Sequence, residues 1–242
     1  MTETRRDPQG DLGRVAVITG SASGIGRSIA AELRSSGWRV AGMDLRPSPD
    51  CDLSLIVDVT DAEAVVAAVA AADTDLGPVT GIVSAAGYYE AVPVDEVTAE
   101  QWRRMLRVHL GGFLHLTRAA LPGMLARGSG SIVAITSELA VGGGGTGDAH
   151  YSAAKGALLG MMRSLAAEVA PAGVRVNAVA PGPTDTPLLS ADSPWRAPEY
   201  LSTLPTGRLT RPEEVALCAA YLLEDGTFCV GETLNPNSGA VI

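Results

Sequence analysis

Seven short apolar runs punctuate the chain, at Arg14–Thr19, Trp38–Met43, Leu55–Val59, Val79–Ser84, Ser131–Thr136, Val174–Val179 and Cys229–Leu234. Within them Val, Ile and Ala follow one another with little alternation, which is the pattern of strands buried on both faces. Helical signals lie between the runs. Thr60-Asp-Ala-Glu63 and Thr98-Ala-Glu-Gln101 have capping-box spacing, so a side chain can satisfy orphan backbone N–H groups there. Pro212, ahead of Glu213 and Glu214, fits the first turn of another helix. Strand-helix alternation of this kind predicts an α/β fold, a seven-stranded parallel sheet with right-handed crossovers. No internal repeat or linker divides it, so residues 1–242 read as one domain.

Two connections break the rhythm. Ten residues separate Asp44 from Leu55 and include Pro47 and Pro49, so no three-turn helix is expected there. Residues 180–211 hold six of the fifteen prolines, a density that interrupts regular helix. This segment leaves the sixth strand at the edge where open parallel sheets bind ligands, and is expected to form a substrate lid.

Composition narrows the partners. The formal charge is −9 with no basic stripe, which argues against nucleic acid or an anionic membrane. No uncharged apolar run approaches the ~18 residues of a membrane span. Residues 1–12 are polar, lack the apolar core of a signal peptide and are expected to be flexible. Cys51, Cys218 and Cys229 are scattered without metal-ligand spacing, so reduced thiols, no metal and a cytoplasmic location are expected.

Candidate chemistry begins after the first strand, in Thr19-Gly20-Ser-Ala-Ser23-Gly24-Ile25-Gly26. Glycines let this turn approach a pyrophosphate, whose charge is favoured by the helix N-terminus that follows. Asp44, at the end of the second strand, is placed to bond the adenosine ribose hydroxyls. A carboxylate there repels a 2′-phosphate and favours NAD, while Arg46 keeps NADP in view.

Tyr151 and Lys155 stand four apart on an expected helix, Tyr151–Ala170, and so share a face. Lys155 is the only lysine in the chain; with five tyrosines, chance would put it four residues after one about one time in fifty. A compact ammonium differs from guanidinium, and beside a tyrosine it lowers the phenol pKa toward the range useful for acid–base work. Ser137, just past the fifth strand, can hold the reacting oxygen with its hydroxyl.

In this order, Thr19–Gly26, Asp44, Ser137, Tyr151-Ser-Ala-Ala-Lys155, Asn177-Ala-Val-Ala-Pro181-Gly182 and Gly207-Arg208 resemble the successive motifs of the short-chain dehydrogenase/reductase family, from Arg14 to Gly239. The resemblance implies a Rossmann-like three-layer sandwich, a nicotinamide cofactor, a Ser–Tyr–Lys site and a homotetramer. It implies that Asp58 and Val59 meet the adenine, that Ala86, Gly87, Pro181, Gly182, Thr184 and Thr186 meet the rest of the cofactor, and that Lys155 bonds the nicotinamide ribose. The chain departs from the family pattern at Ser84-Ala85-Ala86-Gly87, in place of Asn-Asn-Ala-Gly. It departs again at His109, in place of an asparagine on the long helix beginning near Thr98. Gly111 and Gly112 follow and point to a kink or close packing there. Ser137 also stands one residue farther from Tyr151 than is usual, and Asn235-Pro-Asn-Ser-Gly239 replaces an Asp-Gly-Gly ending.

The expected activity is hydride transfer between NAD and a small-molecule secondary alcohol or ketone, a dehydrogenase or carbonyl reductase. Tyr151 is the acid/base, Ser137 the oxygen ligand, Lys155 the modulator and His109 a relay group. Tyr88, Tyr89, Leu188, Leu189, Trp195 and Tyr200 imply a cyclic or otherwise apolar substrate. The alternatives are an NADPH-dependent 3-oxoacyl thioester reductase and a nucleotide-binding regulator that has lost turnover.

Overall fold

A computed structural model describes residues 13–241; the N-terminus expected to be flexible, 1–12, lies outside the described residues. Strands β1 (Val15–Thr19), β2 (Arg39–Asp44), β3 (Leu53–Ile56), β4 (Gly81–Ser84), β5 (Gly130–Ile135), β6 (Val174–Val179) and β7 (Thr233–Leu234) form one parallel sheet. Their order is β3-β2-β1-β4-β5-β6-β7, so successive strands grow outward in both directions from β1. The helices are α1 (Gly24–Ser35), α2 (Ala62–Asp75), α3 (Ala99–Leu106), α4 (Gly112–Arg127), α5 (Leu139–Gly142), α6 (Ala149–Val169), α7 (Pro198–Leu201) and α8 (Pro212–Leu223). None among the described residues is long and apolar enough to cross a membrane.

The unbroken apolar runs have a simple cause. Successive residues of a strand face opposite ways, and both faces are covered. In β1, Val15 and Val17 join a core with α2, α4 and α6, while Ala16 and Ile18 join another with α1 and α8. Every residue of β1, β4 and β5 is buried as a result.

Several boundaries differ from expectation. The third strand runs over Leu53–Ile56 rather than Leu55–Val59, because it pairs only with Ala41–Asp44 and then leaves the sheet edge. The seventh keeps two residues of the expected Cys229–Leu234, since Gly231 has φ +73° and breaks the extended chain. Asn177 repairs the gap: its side chain donates to the Cys229 carbonyl at 2.9 Å and accepts from the Glu232 N–H at 2.9 Å. The capping box at Thr60 is absent. Asp58 takes the Thr60 N–H at 2.8 Å, and Asp61 caps α2 by accepting from Glu63 and Ala64 at 3.0 Å each. At Thr98 the expected box forms, and Pro212 opens α8. Between Asp44 and Leu53 there is no helix. The helix bearing Tyr151 begins two residues earlier than expected, at Ala149.

The long helix beyond Thr98 is interrupted by a π-helical turn, Arg107–Gly111, which holds His109. Such bulges are frequent at functional sites. Close packing accompanies it: a Cβ on Gly112 would stand 2.9 Å from a Val59 methyl. Segment 180–211 carries no helix longer than four residues. Thr184 and Thr210 bridge its stem, and Arg196 pairs with Asp185 at 2.7 Å and donates to the Leu189 carbonyl at 3.1 Å.

Candidate active site

Two adjoining cavities open at the carboxyl ends of the strands, as parallel sheets require. Every catalytic and cofactor-binding residue expected from the sequence lines one or both of them.

The larger, about 720 Å³, runs from the β1–α1 turn across the ends of β2 and β4. Gly20 has φ +72°, and a Cβ there would come within 2.8 Å of the Ala86 backbone, so only glycine lets the two turns meet. The N-cap Ser23 makes no side-chain cap bond, and the first turn of α1 contains no acid. Its free N–H groups and positive dipole end therefore suit a pyrophosphate. Thr19 Oγ1 accepts from the N–H groups of Ala85 and Ala86, each at 3.1 Å. That fixes the backbone of Ser84–Gly87 without the asparagines of the family pattern.

At the far end, Asp44 Oδ2 accepts from the Ala22 N–H at 3.1 Å and Oδ1 from the Arg46 N–H at 3.1 Å. Each carboxylate oxygen keeps a lone pair for a ribose hydroxyl. Arg46 donates to Ser23 Oγ at 3.3 Å from the same wall. Asp58 and Val59 line the cleft beyond β3.

The smaller cavity is lined by Ser137, Tyr151, Lys155 and His109 under Tyr88, Tyr89, Leu188, Leu189 and Trp195. Tyr200, expected among the apolar lining, does not line it. Tyr89 packs on Tyr151 and Trp195 with ring centroids 5.2 and 5.1 Å apart. Its hydroxyl donates to Asp148 Oδ1 at 2.6 Å, so its polar tip is already used. Thr184 and Thr186 both line the smaller cavity, and Thr186 lines the larger one as well.

Lys155 is buried, and its Nζ donates to the Ile135 carbonyl at 2.8 Å. Burial lowers its pKa to about 7. Tyr151 goes the opposite way to the sequence expectation. Burial pushes its phenol up to about 12, a Ser137 hydrogen bond opposes the rise, and Glu138 and Asp148 add to it. A lysine held on a backbone carbonyl and reluctant to stay charged does not offset that burial.

His109 is buried, and its ring meets Tyr151 edge-on at 5.5 Å. Nε2 lies 2.9 Å from the Tyr88 carbonyl, and the Tyr88 N–H is farther, at 3.4 Å. The shorter contact puts the proton on Nε2 and leaves Nδ1 an acceptor, buried and without a partner. Burial first, and then Lys155, hold the imidazole pKa well below its usual value, so the ring is neutral. A Cβ on Gly87 would overlap this ring, which gives the glycine of Ser84–Gly87 a definite purpose.

Sequence reasoning passed over Glu138, although it directly follows Ser137. It is 4% exposed, lines the smaller cavity, and its Oε2 has no hydrogen-bond partner. Burial pushes its carboxyl from 4.5 up to about 7. Because the folded pKa lies above the unfolded one, the group is neutral in both states below about pH 4.5. Its cost appears as pH rises toward 7 and is complete above that. Relative to the parent protein, Glu138→Gln should therefore gain about 2 kcal/mol, roughly 4–8 °C in Tm, between pH 5 and 8. Melting curves whose difference is flat in pH would contradict this.

A family model described as Enoyl-(Acyl carrier protein) reductase matches residues 20–240. The chain is 38% identical over 242 residues to a cis-4-hydroxycyclohexanecarboxylate dehydrogenase from Sinomonas cyclohexanicum, covering 93% of this chain and 96% of the relative. It is 37% identical over 228 residues to an acetoacetyl-CoA reductase from Synechocystis sp., covering 93% and 95%. The solved structure of a 3-ketoacyl-(acyl-carrier-protein) reductase from Brucella melitensis, complexed with NADH, superposes with a TM-score of 0.88 at 28% identity, covering 96% of this chain and 99% of that one.

Proposed function

The chain belongs to the short-chain dehydrogenase/reductase family, and on that premise we propose that it transfers a hydride reversibly between NAD(H) and a secondary alcohol or ketone of cyclic or otherwise apolar character. The observation that carries this reading is the convergence of Ser137, Tyr151, Lys155 and His109 on one pocket beneath aromatic side chains. The uncapped start of α1 and the position of Asp44 fit the phosphate and ribose ends of a dinucleotide.

NAD, when bound, supplies the ring that accepts or returns the hydride. Ser137 Oγ and Tyr151 Oη hold the carbinol oxygen, and Tyr151 takes its proton as the alcohol is oxidised or returns it as a ketone is reduced. Lys155 would hold the nicotinamide ribose, and its ammonium would bring positive charge to Tyr151 and lower the phenol pKa. His109 Nδ1 accepts a hydrogen bond from the water that carries the proton onward. Residues 180–211 act as the lid of a single nucleotide-binding and catalytic domain. We place the enzyme in the cytoplasm as a homotetramer; Phe228, 99% exposed next to the edge strand β7, is apolar surface that another copy can cover.

NADH absorbance against a panel of cyclic alcohols and ketones, with both cofactors, tests the reading. NAD should exceed NADP in kcat/KM, and Asp44→Ala should shrink the gap. A tenfold preference of the parent protein for NADP, ~1.4 kcal/mol, would overturn the role given to Asp44. The second reading, an NADPH-dependent reductase of 3-oxoacyl thioesters, is favoured by Arg46 at the ribose wall and by the acetoacetyl-CoA reductase relative. Turnover of acetoacetyl-CoA with NADPH, exceeding that of every cyclic ketone, would establish it instead.

A further inference from the structure

We infer that Glu138 is a second polar subsite of the reacting pocket, accepting a hydrogen bond from a hydroxyl beside the reacting carbon, so that the substrate is a vicinal diol or an α-hydroxyketone. The inference rests on the hydride-transfer reading above and specifies its substrate.

The backbone of Glu138 is fully committed. Its N–H donates to the Pro181 carbonyl at 3.0 Å, and its carbonyl accepts from Val141 and Gly142 at 2.9 Å each. The carboxyl is therefore delivered to one place, against Gly182, where a Cβ would come within 2.6 Å of Oε2. Among the described residues no cation neutralises it there. Tyr151 and Tyr200 are pushed up chiefly by burial, and the charge of Glu138 adds to the rise of both. Asp148, which also acts on Tyr151, is occupied by Tyr89 and by the Gly145 N–H at 2.8 Å. Lys155 is occupied by Ile135.

Oε2 is sealed against Gly182 and the carboxyl has no protein donor, which is costly and persists where a ligand in the cavity that Glu138 lines supplies a donor to its other oxygen. The reacting oxygen already has Ser137 and Tyr151, so the donor to Glu138 is a different group on the same molecule. Toward the ionised carboxyl a thioester or a plain ketone offers only acceptors, and a carboxylate adds a like charge. A hydroxyl suits the carboxyl in either protonation state, since it both donates and accepts. In the reaction, the diol C–H bond breaks with hydride going to NAD⁺ and the proton of that carbinol going to Tyr151. The products are the α-hydroxyketone, NADH and a proton; the hydroxyl on Glu138 is unchanged.

The test compares 1,2-cyclohexanediol with cyclohexanol, and 2-hydroxycyclohexanone with cyclohexanone, in the parent protein, Glu138→Gln and Glu138→Leu. The parent should favour the hydroxylated member of each pair by about tenfold or more in kcat/KM, because a site built for a hydroxyl rejects its absence. That ratio should collapse at least about tenfold in Glu138→Leu and be partly kept in Glu138→Gln, whose amide oxygen still accepts. Ratios unchanged by Glu138→Leu overturn the inference, as does a preference for 2-aminocyclohexanol over the diol. Binding of 2-hydroxycyclohexanone and cyclohexanone to the protein with NAD⁺, read by thermal shift, separates the two proposals. Tighter binding of the hydroxyketone that is lost in Glu138→Leu, without turnover of any alcohol, sinks the hydride-transfer reading and sustains the subsite. Equal binding of the two ketones sinks the subsite, whatever the turnover.

Discussion

Exchanging Lys155 for arginine is expected to lower kcat by about a hundredfold or more, the scale of a lost acid–base contribution, although the formal charge is kept. The side chain enters a buried position where the Ile135 carbonyl, at 2.8 Å, is the acceptor. Guanidinium brings five N–H donors in a rigid fork, and most of them would be left without partners. It also remains charged, whereas burial brings the lysine to about 7 and lets it exist in either form near neutrality. The helix itself stays anchored, since Thr136 Oγ1 donates to the Lys155 carbonyl at 3.0 Å whatever the side chain. Steady-state kcat, with the KM for NAD measured alongside, checks this; near-native kcat in Lys155→Arg would remove the lysine from the chemistry.

His109→Leu should lose at least tenfold in kcat with little change in NAD affinity, while His109→Asn keeps substantial activity. Leucine removes the Nδ1 acceptor and the Nε2 bond to the Tyr88 carbonyl together. Asparagine restores one donor and one acceptor in the π-helical turn. A purely structural imidazole would respond differently: both variants would lower Tm in proportion to their packing and leave kcat alone. A fully active leucine variant would therefore return His109 to the role of a packed core residue.

The architecture was legible because it rests on local signals that agree with one another. Continuous apolar runs in β1, β4 and β5 meant two covered faces, and Lys155 identified its helix face by being the only lysine. The failures share a different cause. At β7 the strand yields to the left-handed Gly231 and to Asn177, which is 55 residues from the N–H it receives. At Thr60 two neighbouring aspartates competed for the same backbone groups, and spacing alone does not rank them.

By itself the sequence determined the parallel sheet, the glycine-rich turn at Gly20–Gly26, and the residues that meet at the strand ends. Periodicity, turn chemistry and the order of motifs are properties of the chain and survive in any window of it. Protonation was decided only by the tertiary structure. Tyr151 rises to about 12, Lys155 falls to about 7 and Glu138 rises to about 7 chiefly because each is buried. Desolvation depends on what the whole chain packs around a group, so residue identity and spacing do not carry it.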